Sequence, residues 1–202
     1  MPKVSRRLEK VIPYLLIIGG VIGTICSFII SLDKLKIAEN PAFQPNCNLN
    51  PIVSCGSVMR SAQGSVFGFP NPWIGLFGFA ILITVGMSIL AGAKFKRWYW
   101  ATLNFFIGLG LVFAFWLLYE SVYSIHALCP YCLTVDVVVI TLFWYVSLFN
   151  LQTGVIKLPK GKGWEKALSF VCKHHIDLLV LWFLIIIFFV IKHFWYYFGR
   201  NF

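Results

Sequence analysis

Long uncharged apolar runs alternate with short charged segments along this chain. A helix needs about 20 apolar residues to cross the hydrocarbon core of a bilayer, and five runs reach that length. They are residues 11–32, 72–93, 98–119, 129–150 and 178–198. The fourth run contains one acid, Asp136, and the fifth is interrupted by Lys192 and His193 near its end. The pattern therefore predicts five transmembrane helices.

The composition of the chain agrees with this prediction. Hydrophobic residues make up 59% of the 202 residues and charged residues 12%, whereas a soluble domain has about 25% charged residues. The mean hydropathy is +0.83. These values exclude a cytosolic enzyme, a small secreted disulfide-rich protein and a disordered tail. The sequence predicts an all-α integral membrane protein.

The net charge of +10 indicates topology rather than nucleic-acid binding, because the basic residues lie between the apolar runs. Cytoplasmic loops are enriched in Lys and Arg. The N-terminal segment, residues 94–97 and residues 151–177 together contain twelve Lys and Arg, against five on the other side. We therefore expect the N-terminus in the cytoplasm, the C-terminus outside, and the loop 33–71 on the outer face of a cytoplasmic (inner) membrane.

The same pattern predicts the domain organisation. Residues 1–150 should form a four-span catalytic bundle, residues 151–177 a basic cytoplasmic loop, and residues 178–202 a fifth, peripheral span with an outer C-terminus. Within the outer loop, Ser54 is suited to cap a helix, and we expect a short helix over residues 54–63.

Four of the six cysteines fall on the outer side of the predicted membrane, where disulfides form. These four are Cys47 and Cys55 in the outer loop, and Cys129 and Cys132 at the start of the fourth span. The other two, in the first span and the inner loop, are expected to be plain thiols: Cys26 and Cys172.

The segment from Cys129 to Cys132 opens a helix in a way that favours redox chemistry. Positions three apart share one face of a helix, and Pro130 occupies the first helical position, where proline is favoured. The free N–H groups and the positive end of the helix dipole lie near the Cys129 sulfur and favour its thiolate. We therefore expect a reducible disulfide that exchanges with the outer-loop pair.

Two other interpretations of the four outer cysteines stay open. One is a structural zinc site, since C-x-x-C is also a metal-ligand spacing; however, Cys47 and Cys55 are eight residues apart and the only nearby histidine is His126. The other is a pair of purely structural disulfides, for which a short bridge at the start of a helix is an unusual position.

These motifs together resemble the vitamin K epoxide reductase family, in particular its microbial homologues that oxidise thiols for disulfide formation. The resemblance covers about residues 10–150. It is carried by the Cys47 and Cys55 pair, Ser61 six residues later, the stretch Phe67-Gly68-Phe69-Pro70-Asn71, Gly75, and Cys129-Pro130-Tyr131-Cys132.

The resemblance implies four helices around a quinone (menaquinone or ubiquinone), with the outer loop lying over it as a cap. It implies that Cys132 lies against the quinone ring and reacts with it, and that Cys129 exchanges with Cys55. It also implies that Cys47 faces a thioredoxin-fold partner outside the cytoplasm. Many homologues carry that domain fused after the fifth span; since this sequence stops at Phe202, we expect a separate partner.

The resemblance also gives roles to residues near the quinone. Ser61 and Asn71 correspond to positions beside it, where the Asn71 amide can hydrogen-bond a carbonyl oxygen. Without the resemblance, Asn71 would be interpreted as a turn residue and Ser61 as a helix-surface serine. His126, beside the C-x-x-C segment, is either a residue that tunes the thiols or an ordinary loop histidine.

Asp136 is where the chain departs from the family pattern, because relatives usually carry a large aromatic residue at this position. In the animal enzymes a tyrosine there bears on substrate and inhibitor binding. An acid inside a span is a functional candidate. It either relays the protons that quinone reduction consumes or pairs within the bundle without a catalytic role.

The function that follows is a quinone-dependent thiol oxidase that reoxidises its partner and thereby drives disulfide-bond formation in exported proteins. Electrons would pass from Cys47 and Cys55 to Cys129 and Cys132, and from there to the quinone. Two alternatives stay open: a quinone or vitamin K epoxide reductase, and a disulfide-stapled membrane scaffold without enzymatic turnover.

Overall fold

The computed structural model describes residues 6–156 and 161–198; most of this part of the chain is helical, and it contains no β-strand. Five of its helices are long and apolar enough to cross a membrane, which confirms the predicted all-α integral membrane fold. The helices are α1 (Arg6–Glu39), α2 (Cys55–Arg60), α3 (Pro72–Leu90), α4 (Arg97–Glu120), α5 (Pro130–Gln152), α6 (Lys162–Lys173) and α7 (His175–Phe198).

Helix α1 extends further than the apolar run 11–32 predicted. It has 34 residues, which corresponds to about 51 Å at the rise of an α-helix, and it ends at Glu39 just before Asn40 and Pro41. The hydrocarbon core is only about 30 Å thick. The C-terminal part of α1 therefore continues past the apolar run and carries Lys34 to the level of residues 40–71, which belong to the predicted outer loop and keep that name below.

Four of the long helices pack as a row in the order α3, α1, α5 and α4. Glycines allow α1 and α3 to approach closely: a Cβ at Gly23 would lie 2.5 Å from the Phe79 ring, and one at Gly86 would lie 2.8 Å from the Pro13 carbonyl oxygen. Helices α3 and α4, at the two ends of the row, do not pack extensively against each other. The bundle therefore has a gap on one side.

The outer loop folds into a short helix followed by a tight turn. Helix α2 begins after Ser54, whose hydroxyl oxygen accepts a hydrogen bond from the Ser57 N–H at 3.3 Å, as the sequence predicted. The helix is shorter than the expected 54–63, because it ends at Arg60 and a single 3₁₀ turn (Ala62–Ser65) follows. This turn leads to the start of α3.

The segment expected as a basic loop, residues 151–177, contains helix α6. Helix α7 then packs against the outside of the bundle, with Leu179 beside Leu111 and Ile140 and Phe194 beside Val122. Part of the predicted topology lies outside the described residues, namely the basic residues Lys3, Lys157, Lys160 and Arg200 and the C-terminal residue Phe202.

Candidate functional site

An isolated parallel β-bridge joins the outer loop to the segment before α5. Val53 pairs with Leu128; the Leu128 N–H donates to the Ile52 carbonyl at 2.6 Å, and the Ser54 N–H donates to the Leu128 carbonyl at 3.0 Å. The next residue of each segment is a cysteine, Cys55 after Ser54 and Cys129 after Leu128. The bridge therefore sets the register that brings the two predicted cysteine pairs together.

The outer-loop pair is a disulfide between Cys47 and Cys55. Cys55 has no exposed surface, whereas Cys47 keeps 8% of its surface exposed. Both pack in one apolar cluster with Cys129 and with Ile30 of α1. Cys55 thus faces the interior of the site, and Cys47 is the more accessible member of the pair.

Cys129 and Cys132 are free thiols in this structure. Cys129 is the N-cap of α5, and its sulfur accepts a hydrogen bond from the Cys132 N–H at 3.4 Å. Cys129 precedes the membrane-spanning segment. The Cys132 thiol donates a hydrogen bond to the Cys129 sulfur and thereby lowers the pKa of Cys129. The N–H groups of Cys132 and Tyr131 lower this pKa further, whereas burial of Cys129 raises it. The Cys132 thiol contributes most to this lowering of the Cys129 pKa, and the free N–H groups of the helix start, on which the sequence prediction rested, add to it.

A cavity of about 690 Å³ is lined by the four helices α1, α3, α4 and α5, and one end of it is closed by the turn Ala62–Ser65. Its volume is within the usual range for a small-molecule site, about 300–1,000 Å³. Cys129 and Cys132 lie on its wall. Most of the other wall residues are apolar, and the polar ones are few: Lys34, Gln63, Asn71, Tyr99, Thr102, Ser121 and Asp136.

The cavity reaches the gap between α3 and α4. Gly78 of α3 and Gly110 of α4 lie on its wall, and a Cβ added at either glycine would meet open space. The aromatic side chains of Trp98 and Phe106 line the same region and are more than 60% exposed. A flat apolar ring with a hydrocarbon tail fits a cavity of this volume, lining and lateral opening.

Asn71 was expected either to contact a quinone or to shape a turn, and its position is compatible with both roles. It lies on the cavity wall and also holds the turn next to the cavity. Its Nδ2 donates to the Gln63 carbonyl at 2.6 Å, and its Oδ1 accepts from the Val66 N–H at 3.1 Å. The amide has a second N–H that makes no other hydrogen bond within the described residues.

Ser61 is not brought to the cavity. Its hydroxyl donates to the Val58 carbonyl at 2.7 Å at the end of α2, and the residue is absent from the described cavity wall. Its contact with a quinone is an expectation that this geometry does not support.

Asp136 lies on the cavity wall, one helical turn from Cys132 on the same face of α5. It is the only acidic residue on the described part of that wall. His126, in contrast, is off the wall. Its ring lies 5.5 Å from that of His193 on α7, and its Nδ1 lies 3.1 Å from the Val122 carbonyl oxygen.

Five polar residues of the cavity wall were given no role at this site from the sequence: Lys34, Gln63, Tyr99, Thr102 and Ser121. From the sequence, Lys34 was counted only as one of the five Lys and Arg on the predicted outer side. Only the extension of α1 beyond the apolar run 11–32, combined with the fold of residues 62–65 above the cavity, reveals its position.

Comparison with known proteins gives one finding. The model of the vitamin K epoxide reductase family matches residues 14–147, about two thirds of the chain, and this range includes the four cysteines of the site. A comparison with curated individual proteins found no match.

Proposed function

The chain belongs to the vitamin K epoxide reductase family, which makes it a membrane oxidoreductase of quinone-linked redox chemistry; from this premise we propose that it is a quinone-dependent thiol oxidase. In this proposal it reoxidises a thioredoxin-fold partner outside the cytoplasm and so drives disulfide-bond formation in exported proteins. The observation that carries the proposal is the β-bridge, because members of both cysteine pairs pack in one cluster beside it.

The proposed relay begins at the loop disulfide. A thiolate of the reduced partner attacks Cys47, which is more accessible than Cys55. The Cys47–Cys55 bond breaks, a mixed disulfide forms, and Cys55 leaves as a thiolate. The second thiol of the partner resolves the mixed disulfide, so the partner leaves oxidised and the loop pair is reduced.

The second step transfers the two electrons inward. The Cys55 thiolate attacks Cys129 of an oxidised Cys129–Cys132 pair, and Cys132 leaves as a thiolate. Cys47 then displaces Cys129, which restores the loop disulfide and leaves both helix thiols reduced. The lowered pKa of Cys129 makes it a good leaving group in this exchange.

The third step uses the cavity. A bound menaquinone or ubiquinone would supply an acceptor for two electrons and two protons. Cys132 and Cys129, which lie on the wall, give up those electrons and protons as their disulfide forms. Asn71 is placed to orient a head-group oxygen with its second amide N–H. Asp136, one turn from Cys132, is placed to hold or pass a proton in a site that the outer loop screens from water.

Thiol trapping in membranes tests this function. Membranes containing the protein are alkylated with and without added menaquinone, and each cysteine is scored by mass spectrometry. We expect quinone to convert Cys129 and Cys132 from alkylated thiols to a protected disulfide. Cys172→Ser, which removes a thiol outside the site, should respond like wild type. A redox state of Cys129 and Cys132 that ignores the quinone would contradict the proposal.

The order of the relay has its own test. Cys132→Ser should leave Cys129 without its resolving thiol, so that a Cys55–Cys129 bond accumulates on non-reducing analysis. Cys47→Ser should abolish exchange with the partner, while Cys129 and Cys132 still respond to quinone. If Cys55→Ser transfers thiol electrons like wild type, the order is wrong.

A cellular comparison separates a thiol oxidase from an enzyme whose purpose is the quinone. Loss of the protein should leave exported proteins with free thiols while the quinol fraction of the membrane stays unchanged. A shifted quinone pool with normally oxidised exported proteins would favour a quinone reductase instead.

A further inference from the structure

Lys34 is the only cationic residue on the described part of the cavity wall. It lies in the outer part of α1 and is half-buried. A lysine near a membrane surface usually extends its ammonium group towards water. Here the side chain instead follows the cavity wall to the turn Ala62–Ser65, so its position needs a specific explanation.

The ammonium group is held by the backbone of that turn. Lys34 Nζ donates to the Gly64 carbonyl at 2.6 Å, and the Asn71 N–H donates to the same carbonyl at 3.2 Å. A Cβ at Gly64 would lie 2.9 Å from Lys34 Nζ and 3.0 Å from the Val58 carbonyl oxygen. A side chain at position 64 would therefore crowd both the ammonium group and the Val58 carbonyl oxygen.

An ammonium group has three N–H donors, and Lys34 uses one of them for Gly64. The other two make no hydrogen bond to the described residues, and the charge has no carboxylate partner there. The Asn71 amide, bonded to the adjacent Gln63 carbonyl, also keeps one donor. Two residues thus present unused donors to the same end of an otherwise apolar cavity, an arrangement suited to an oxygen acceptor on a ligand.

We propose that Lys34 is a further catalytic residue, whose ammonium group donates to a head-group oxygen of the quinone beside Asn71. This inference rests on the proposed function. As Cys129 and Cys132 form their disulfide, two electrons and two protons leave the thiols and are taken up by the quinone, so the step balances without another reagent. Negative charge develops on a head-group oxygen if electrons arrive before protons, and a fixed cation at that oxygen stabilises it.

Lys36 provides a matched control on the same helix. It is exposed, it is absent from the described cavity wall, and its ammonium group lies 5.4 Å from the centroid of the Phe43 ring. Lys36→Met therefore makes the same change in charge as Lys34→Met, two residues away, without touching the cavity.

The test measures binding separately from turnover. Short-tailed menaquinone is titrated into detergent-solubilised Cys132→Ser protein, with quenching of tryptophan fluorescence as the readout, since Trp98 lies on the cavity wall. We expect Lys34→Met to raise Kd about tenfold or more, as loss of a charged hydrogen bond would, and Lys34→Arg to stay within about threefold of the parent. Lys36→Met should match the parent.

Turnover measurements then distinguish a role for the positive charge of Lys34 from a purely structural role in holding the turn Ala62–Ser65. In the protein with all four cysteines, Lys34→Met and Lys34→Gln should both lower kcat for quinone reduction about tenfold or more, while Lys34→Arg restores most of it. Lys34→Gln keeps a donor for Gly64 but no charge. If Lys34→Gln matches wild type in Kd and kcat, the residue only tethers the turn and the proposal is wrong.

Two further outcomes are distinct. If the parent protein binds quinone and Lys34→Met binds it equally well, this inference fails and the proposed function stands. If the parent protein does not bind quinone and the thiols of the protein with all four cysteines also ignore it, both fail. The Cys47–Cys55 disulfide, scored by alkylation in the protein with all four cysteines, verifies that each Lys34 variant is folded. Should Lys34→Met not fold, the comparison of Lys34→Gln with Lys34→Arg decides the question.

Discussion

Asp136 and Cys132 lie one turn apart on the face of α5 that lines the cavity. Quinone reduction takes up two protons with two electrons, and the outer loop covers this end of the cavity. An acid inside a membrane span is costly unless it has a function or a partner. The described residues show no ion pair or hydrogen bond for the Asp136 carboxyl group. A role in structural pairing therefore has no partner among them, and we test the proton relay.

Asp136→Asn keeps the shape of the side chain and removes its titratable proton. We expect quinone reduction to slow about 100-fold, the lower end of what a positioned acid or base supplies, with a flatter pH dependence. Partner exchange at Cys47 should change little. Stopped-flow measurement of each half-reaction at pH values from about 5 to about 9 gives the two pH profiles to be compared.

The matched control is Asp177→Asn, which removes an exposed acid at the start of α7, far from the cavity wall. It should leave both half-reactions unchanged. If Asp136→Asn reduces quinone at the wild-type rate throughout that pH range, Asp136 has a structural role and the relay is wrong.

Helices α3 and α4 follow each other along the chain but lie at opposite ends of the packed row. The connection of six residues between them allows this separation, and the resulting gap opens the cavity sideways. In a membrane this side faces lipid, where a quinone with a hydrocarbon tail is dissolved. The arrangement therefore supports access from the bilayer rather than from water.

Gly110→Leu tests this route. The added side chain would enter open space at the cavity wall, and leucine has a higher helix propensity than glycine, so the fold should tolerate the change. We expect KM for a long-tailed quinone to rise about tenfold, which corresponds to about 1.4 kcal/mol, while thiol exchange with the partner is retained. Steady-state kinetics in proteoliposomes provide the measurement.

Gly163→Leu in α6 is the control, because a Cβ at Gly163 also meets open space but lies away from the cavity. Its KM should equal that of wild type. Equal KM values for wild type and Gly110→Leu, with long-tailed and short-tailed quinones alike, would show that the tail does not pass this gap.

The whole molecule has its thiol chemistry at one end of the bundle. The β-bridge, the loop disulfide and the start of α5 all lie at the end reached by the C-terminal part of α1. The mechanism requires this end to face the oxidising side, since a thiol oxidase inside the cytoplasm would act against a reducing environment. The distribution of Lys and Arg predicts that orientation.

Reporter fusions test the orientation directly. A reporter fused after Phe202 should be active outside the cytoplasm, and one inserted within residues 157–166 should be active inside. Periplasmic phosphatase and cytoplasmic fluorescent-protein activities give opposite signals at each site. The reverse pattern would place the four cysteines on the reducing side and exclude the proposed mechanism.

The spans, the all-α fold and the family could all be predicted from the sequence, because each depends on local information. Apolar runs of sufficient length must form helices in a bilayer, where unpaired backbone groups are too costly. The start of α2 at Ser54 and of α5 at Cys129 depends on a few neighbouring residues and was predicted correctly. The end of α1 was not, since charged residues that leave the membrane can continue a helix as readily as end it.

The tertiary structure decided which distant residues meet, since that depends on pairing between segments far apart in the chain. The bridge between Val53 and Leu128 lies beside the cluster in which Cys55 and Cys129, more than 70 residues apart in the chain, pack together, and no local pattern encodes such a pairing. The fold also brings Asn71 and Lys34 to one end of the cavity and leaves Ser61 outside it. Lys34 most clearly shows the difference: its charge indicated topology, and only the turn folded against it reveals a donor facing the cavity.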